Sequence, residues 1–310
     1  MKAESISYYK LENPKYYKEK GVIVTGATGG IGSLLTKTLI ELGSRVVAVV
    51  KNEKKLLEMF DSYIKDGSLQ YQIINFKTEV DYRNDFSNIM IKLGGKLDVM
   101  FLCHGIYSKT DILDSSLKEF DNMININSRS VLAMISLATP FLKYTKGNVV
   151  AISSIESFIP SKYSFLNTTS KCIVNSIIKN SALELASFGI RINGVAPGII
   201  NTNFMSEKFE ESKEKKYKMH MKKKASNNLL SKSNIEPDEV VDVMLFLGCD
   251  DAGFMTGEII KIDSGYSLNH DNCFTEPKWK EIYVYLKKAF LIIYLKNNLF
   301  LLFFYGNTLI

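Results

Sequence analysis

Between Gly21 and Asn269, short runs of β-branched and aliphatic residues alternate with longer stretches whose apolar positions recur at helical spacing. That alternation predicts βαβ units and a parallel sheet. The strand candidates are Gly21 to Thr25, Arg45 to Val50, Tyr71 to Ile74, Leu97 to Leu102, Asn148 to Ser153, Arg191 to Ala196 and Glu258 to Ile262. Most are nearly continuous apolar runs, as strands covered by helices on both faces require. The expected fold is α/β, a doubly wound parallel sheet of about seven strands in a three-layer sandwich. No repeat or linker divides the region, so the expected organisation is an N-terminal extension over 1–20, one domain over 21–270 and an apolar tail over 271–310.

The first strand runs directly into Thr25-Gly26-Ala27-Thr28-Gly29-Gly30-Ile31-Gly32, and a helical pattern follows from Ser33 to Leu42. A helix N-terminus presents unpaired N–H groups and the positive end of a dipole, and glycines let a pyrophosphate approach the backbone. A glycine turn set between a strand and a helix therefore predicts dinucleotide binding. The second strand ends in Val50-Lys51-Asn52, where an NAD-binding fold places an acid on the ribose hydroxyls. With no acid there and a lysine in its place, NADP (NADPH) is favoured over NAD. The plainer reading is that Lys51 only ends a strand.

Composition changes this picture little. The 310 residues are 46% hydrophobic and 23% charged with 6 Pro and 19 Gly, a globular balance that excludes disordered and collagenous classes. Cys103, Cys172, Cys249 and Cys273 are too widely spaced for a CxxC redox or zinc pair, so no disulfide framework and no metal site is expected. The net charge of +6 argues only weakly for nucleic acid, because Arg45, Arg83, Arg129 and Arg191 are the only arginines. No nucleic-acid partner is expected. Met1 to Lys20 lacks an apolar run, which points to a cytoplasmic protein.

Two segments stand apart. Ser206 to Lys224 is lysine-rich and reads either as a solvated helix or loop or as a lid over a site. From Ile282 onward the chain is apolar and aromatic, but Lys287, Lys288, Lys296, Asn297 and Asn298 interrupt it. Its longest apolar runs fall well short of the roughly 18 residues of a spanning helix. The tail is open to packing on a partner subunit or to touching a membrane.

The motif TGxxxGxG at Thr25 to Gly32 resembles the short-chain dehydrogenase/reductase family, and the likeness continues in order along the chain. Leu97-Asp98-Val99-Met100 leading to Gly105 is similar to the family's fourth strand, and Phe120-Asp121 through Asn127 to its fourth helix with the catalytic Asn. Ile152-Ser153-Ser154 resembles the strand end that carries the catalytic Ser. Arg191-Ile192-Asn193 and the turn Pro197-Gly198-Ile199-Ile200-Asn201-Thr202 look like the elements around the nicotinamide, and Thr256 to Tyr266 like the last strand. The arrangement is most similar to 3-oxoacyl-carrier-protein reductases and related ketone reductases.

The resemblance implies a Rossmann-type fold and hydride exchange with a small-molecule carbonyl or secondary alcohol. It also implies a homotetramer or homodimer. The implied catalytic residues are Asn127, Ser154 and Lys171. The implied cofactor contacts are Thr25, Gly26, Thr28, Gly30, Ile31, Gly32, Lys51, Asn52, Asn75, Gly105, Lys171, Pro197, Gly198, Ile200 and Thr202. In the family's NNAG turn this chain keeps only Gly105, within Leu102-Cys103-His104-Gly105, and Asn75 stands where an Asp usually contacts the adenine.

A larger departure concerns the proton. The family uses a YxxxK pair one helical turn apart, so that the lysine lowers the phenol's pKa and the phenol serves as general acid. Here the residue four before Lys171 is Asn167, and the family's Ser-to-Tyr spacing counted from Ser154 reaches the same Asn167. An amide delivers no proton. Tyr163 and His104 are the alternative proton carriers, although Tyr163 falls in a predicted loop over Pro160 to Ser164 and His104 also reads as a pocket-lining residue. Cys103 and Cys172 read as packing residues. The expectation is an oxidoreductase with an impaired or rerouted proton relay, or alternatively a dinucleotide-binding sensor or subunit partner without turnover.

Overall fold

The computed structural model describes residues 15–77, 80–108, 110, 112–113, 115–201, 226, 228–230 and 233–269. Thr202, the lysine-rich segment Ser206 to Lys224 and the tail over 271–310 lie outside the described residues. The chain divides into two compact units, Met1–Ser267 and Leu268–Ile310. The first carries the sheet.

Seven parallel strands run in the order β3-β2-β1-β4-β5-β6-β7. They are β1 Gly21–Thr25, β2 Arg45–Val50, β3 Leu69–Ile73, β4 Val99–Leu102, β5 Asn148–Ile152, β6 Arg191–Pro197 and β7 Ile259–Ile262. The helices are α1 Gly30–Glu41, α2 Glu53–Lys65, α3 Tyr82–Lys92, α4 Leu117–Ile124, α5 Ser130–Thr145, α6 Phe165–Leu185 and α7 Pro237–Gly248. The expected three-layer α/β architecture is present.

Alternate residues of one strand feed opposite layers, which is why the strands read as unbroken apolar runs. Val22 and Val24 of β1 pack with Leu35 and Leu39 of α1, Leu56 of α2 and Met244 of α7. Ile23 between them packs with Ile89 of α3, Met134 of α5 and Ile178 of α6. Two strand starts differ from expectation by two residues, and the other boundaries agree to within one. The third strand begins at Leu69 rather than Tyr71, because it is a sheet edge whose Gln70 is exposed while Leu69 is buried. The fourth begins at Val99: the Leu97 carbonyl is turned to Thr145 Oγ1 at 2.6 Å, while Asp98 still bonds the Gly21 carbonyl through its N–H at 2.8 Å and marks the start of the ladder.

The segment ahead of β1 is bound into the same unit. Tyr17 is fully buried, and its hydroxyl donates to the Leu245 carbonyl of α7 at 2.6 Å. Among the described residues no helix is long and apolar enough to cross a membrane.

Candidate active site

The strand order reverses between β1 and β4, and in an open parallel sheet the crevice outside the carboxyl ends at that reversal is the binding site. Most of the residues singled out in the sequence lie along this edge. Gly26 takes φ 66, a left-handed value that favours glycine, and donates its N–H to the Val49 carbonyl at 2.9 Å. A Cβ on Gly26 would meet the backbone of His104 at 2.8 Å, and one on Gly32 would meet the Gly26 carbonyl oxygen at 2.3 Å. The turn and the helix are thus in backbone contact.

Helix α1 starts at Gly30, three residues earlier than the periodicity suggests, because the glycines themselves form its first turn. Its N-cap is Gly29, no side chain caps it, and no acid stands in its first turn. Gly29 and Gly30 are exposed, while Thr28 and Ile31 are half-buried. An open, uncapped helix end of this kind suits a pyrophosphate. These residues fit a dinucleotide, which would supply or accept the hydride.

Thr25 faces inward. Its buried hydroxyl accepts Cys103 N–H at 3.1 Å and lies 2.6 Å from His104 Nδ1. On the other side of the ring His104 Nε2 lies 2.6 Å from Ser130 Oγ, and Ser130 donates to the Ile126 carbonyl at 2.6 Å. Because the Ser130 hydrogen is spent on that carbonyl, Nε2 carries the ring proton and Nδ1 accepts from Thr25. The chain therefore runs one way, from β4 through β1 and the imidazole into α5, with His104 neutral. Burial, reinforced by the charge of Lys171, pushes the His104 pKa down to about 3. His104 is excluded as the proton carrier of the site. Phe76 covers the ring, with centroids 4.4 Å apart.

Asn127 sits in a π-helical turn, Asn125–Arg129, between α4 and α5. Its amide clamps Ile106 at both ends, accepting N–H at 2.8 Å and donating to the carbonyl at 3.0 Å, and donates also to Ser170 Oγ at 3.0 Å. Lys171 follows Ser170 on α6, and its ammonium donates to the Ile152 carbonyl at 2.7 Å. A Cβ on Gly105 would lie 3.3 Å from Asn127 Oδ1 and 3.6 Å from Lys171 Nζ, so this glycine keeps the floor of the crevice open between β4 and α6. Burial lowers the Lys171 pKa to about 8, and raises that of the Cys103 thiol, which Lys171 partly offsets. Cys103 is no nucleophile.

Ser154 lies two residues past β5 and caps a short 3₁₀ turn, Ile155–Ser157, accepting Glu156 N–H on its Oγ at 3.2 Å. The turn is tied to α6: Ser157 Oγ donates to the Ser154 carbonyl at 2.6 Å and accepts from Asn175 Nδ2 at 2.8 Å. Asn167 is buried on the first turns of α6, and its amide donates to Glu156 Oε2 at 2.7 Å. Ser161 Oγ donates to Glu156 Oε1, also at 2.7 Å. Neither Glu156 nor Asn175 was foreseen. The available signal was an acid two residues after Ser154 in an otherwise uncharged stretch. Tyr163 takes a left-handed φ of 68 just before α6 begins at Phe165, so it does not share the helix face of Asn167 and Lys171.

The remaining candidates ring the crevice more loosely. Lys51 and Asn52 are exposed after β2, and Asn52 Oδ1 caps α2 by accepting Lys55 N–H at 3.1 Å. Asn75 is exposed after β3 and accepts Lys77 N–H at 3.2 Å. Pro197, Gly198 and Ile200 leave the end of β6, with Gly198 N–H on the Ile262 carbonyl at 2.8 Å and Ile200 bridged to Ile235. Among the described residues no cluster of His, Cys, Asp or Glu is arranged to hold a metal ion.

Known proteins share this frame. The family profile described as Enoyl-(Acyl carrier protein) reductase matches residues 26–267. Short-chain dehydrogenase reductase 3b of Arabidopsis thaliana is 31% identical over 253 residues, covering 80% of this chain and 96% of its own. The 3-oxoacyl-[acyl-carrier-protein] reductase of Thermotoga maritima is 29% identical over 256 residues, covering 79% and 97%. The apo-form glucose dehydrogenase of Caenorhabditis elegans superimposes with a TM-score of 0.66 at 26% identity, covering 81% of this chain and 99% of that one.

Proposed function

This chain belongs to the short-chain dehydrogenase/reductase family, and from that premise we propose an NADP-dependent oxidoreductase whose proton relay departs from the family's. Its general activity is that of the family, NAD(P)-linked interconversion of carbonyl and CH–OH groups. The observation that carries the reading is the placement of Lys171. Its buried ammonium, anchored on Ile152, borders the same gap as Gly105 and Asn127, beside the glycine turn.

In this reading the uncapped start of α1, with Gly26, Thr28, Gly30, Ile31 and Gly32, holds the pyrophosphate. Lys51 and Asn52 face the ribose, and the absence of an acid there supports a 2′-phosphate. Asn75 lies toward the adenine, and Pro197, Gly198 and Ile200 toward the nicotinamide. Lys171 holds the nicotinamide ribose, Asn127 keeps the crevice wall in register, and Ser154 donates a hydrogen bond to the substrate oxygen. Asn167 stands at the family's tyrosine position and supplies no proton. Losing a positioned general acid typically costs about 10²- to 10⁴-fold in rate, while proximity and hydrogen bonding to the carbonyl remain.

The substrate is a small carbonyl compound or secondary alcohol, a class supported by the ketone- and sugar-linked names among the relatives. The protein acts as a homodimer or homotetramer, which sedimentation of the full chain tests. Fluorescence titration with NADPH and NADH, followed by turnover of a ketone panel by wild type and Asn167→Tyr, tests the whole reading. NADPH binding with wild-type turnover is the expected result. Binding without turnover until the tyrosine is introduced assigns the non-catalytic reading, and absence of binding overturns both.

A further inference from the structure

We propose that the carboxyl group of Glu156 carries the proton of the reaction, taking over the work that the amide of Asn167 cannot do. The inference rests on the hydride-transfer reading of the site. Reversible conversion of an alcohol to a carbonyl needs a group that exchanges a proton with the substrate oxygen. Four other side chains could exchange a proton, and each is less suited. His104 has both nitrogens committed inside a buried chain. The ammonium of Lys171 is bonded to the Ile152 carbonyl. Cys103 is buried with its thiol pKa raised. Tyr163 precedes α6 on a left-handed backbone.

Glu156 differs from all four. It is half-buried, so it keeps access to solvent for proton exchange. Its backbone N–H bonds Ser154 Oγ at 3.2 Å, which ties it to the serine that addresses the substrate oxygen. Asn167 Nδ2 and Ser161 Oγ hold one carboxylate oxygen each, both at 2.7 Å. Each oxygen retains a second lone pair. The carboxylate is thus oriented, not saturated, and it stands one hydrogen bond beyond the residue at which α6 lacks an acid. Asn167 becomes a positioning residue.

The step balances as follows. In alcohol oxidation the O–H bond breaks and its proton forms an O–H bond on Glu156. The carbinol C–H bond breaks with its electron pair, the hydride reduces the oxidised nicotinamide dinucleotide, and the C–O bond becomes C=O. Glu156 then releases its proton to solvent. Carbonyl reduction runs the same steps backward, with protonated Glu156 as the donor.

The test uses the full chain as wild type, Glu156→Gln and Glu156→Ala, with NADPH titrated by fluorescence and turnover followed on cyclohexanone and ethyl acetoacetate and, in reverse, on cyclohexanol and D-glucose. Glu156→Gln is expected to lower kcat about 10²-fold or more while KM and NADPH affinity stay within about threefold. Sodium formate, a free carboxylate, is expected to restore about tenfold or more of the activity of Glu156→Ala. A Glu156→Gln kcat within about threefold of wild type, or a loss that formate does not rescue, overturns the proposal. Wild type that binds no NADPH, or binds it and turns over none of the four compounds, is instead a failure of the underlying reading and takes the proposal with it.

Discussion

The hydroxyl of Thr25 lies 2.6 Å from Nδ1 of His104, and this contact makes the imidazole a neutral link between β1 and α5. Its pKa in the folded chain is about 3, against 6.5 for an unperturbed histidine. Between those values the unfolded chain binds a proton that the folded chain does not. Stability therefore falls as pH drops through this window, by up to about 1.4 kcal/mol per pH unit. Urea unfolding of wild type and His104→Asn between about pH 7 and pH 4 should show this slope in the wild type and its loss in the variant. Equal slopes would remove His104 from the acid transition.

Lys171 gives the alkaline counterpart. Burial lowers its pKa from 10.5 to about 8, so the unfolded chain again holds the extra proton between the two values. Stability of the ligand-free protein should rise with pH across that window, because the uncompensated buried charge is being discharged. In Lys171→Met the rise should be absent, with turnover lost. A wild type whose unfolding midpoint stays flat over the same range would show that the ammonium is better solvated than its surroundings indicate.

The glycine turn is tested most directly at Gly32, where a Cβ would stand 2.3 Å from the Gly26 carbonyl oxygen. The atoms it would meet, in Gly26 and Ala27, are all backbone, so none can swing away, and Gly32→Ala must displace α1 from the turn. The expected cost is about 1–3 kcal/mol of stability, typical of overpacking. NADPH affinity should fall more than tenfold, roughly 1.4 kcal/mol or more. Gly67→Ala supplies the contrast, since it has a positive φ but open space around it. It should lose some stability and no cofactor affinity.

Much of this architecture was readable because its causes are local. β1, β2 and β5 are covered on both faces and so read as nearly unbroken apolar runs, whereas edge strand β3, with Gln70 exposed, was placed two residues late. The glycine turn was legible because phosphate binding needs its residue types side by side. The histidine chain was not, since Thr25 and His104 are 79 positions apart and the fold alone joins them to Ser130. The Glu156 to Asn167 contact was missed for a related reason. It spans 11 positions, but depends on a 3₁₀ turn that throws the acid toward α6, a geometry that residue spacing does not reveal.

In the proposed reading, coenzyme choice turns on the side chain that follows β2. β2 ends at Val50, Lys51 follows exposed, and Asn52 Oδ1 is spent on capping α2. Lys51 is the cation nearest in sequence to the place where a ribose 2′-substituent would sit after β2. An exposed charge pair at this range contributes about 1 kcal/mol, so Lys51→Ala should weaken NADPH binding roughly fivefold and leave NADH nearly unchanged. Lys51→Glu replaces attraction by repulsion and supplies an acceptor for ribose hydroxyls, so the ratio of the two affinities should move further in the same direction. Both shifts should shrink at about 1 M salt, where the Debye length is about 3 Å. An NADPH to NADH ratio that is the same in all three proteins would assign coenzyme choice to other residues and leave Lys51 as the ordinary end of a strand.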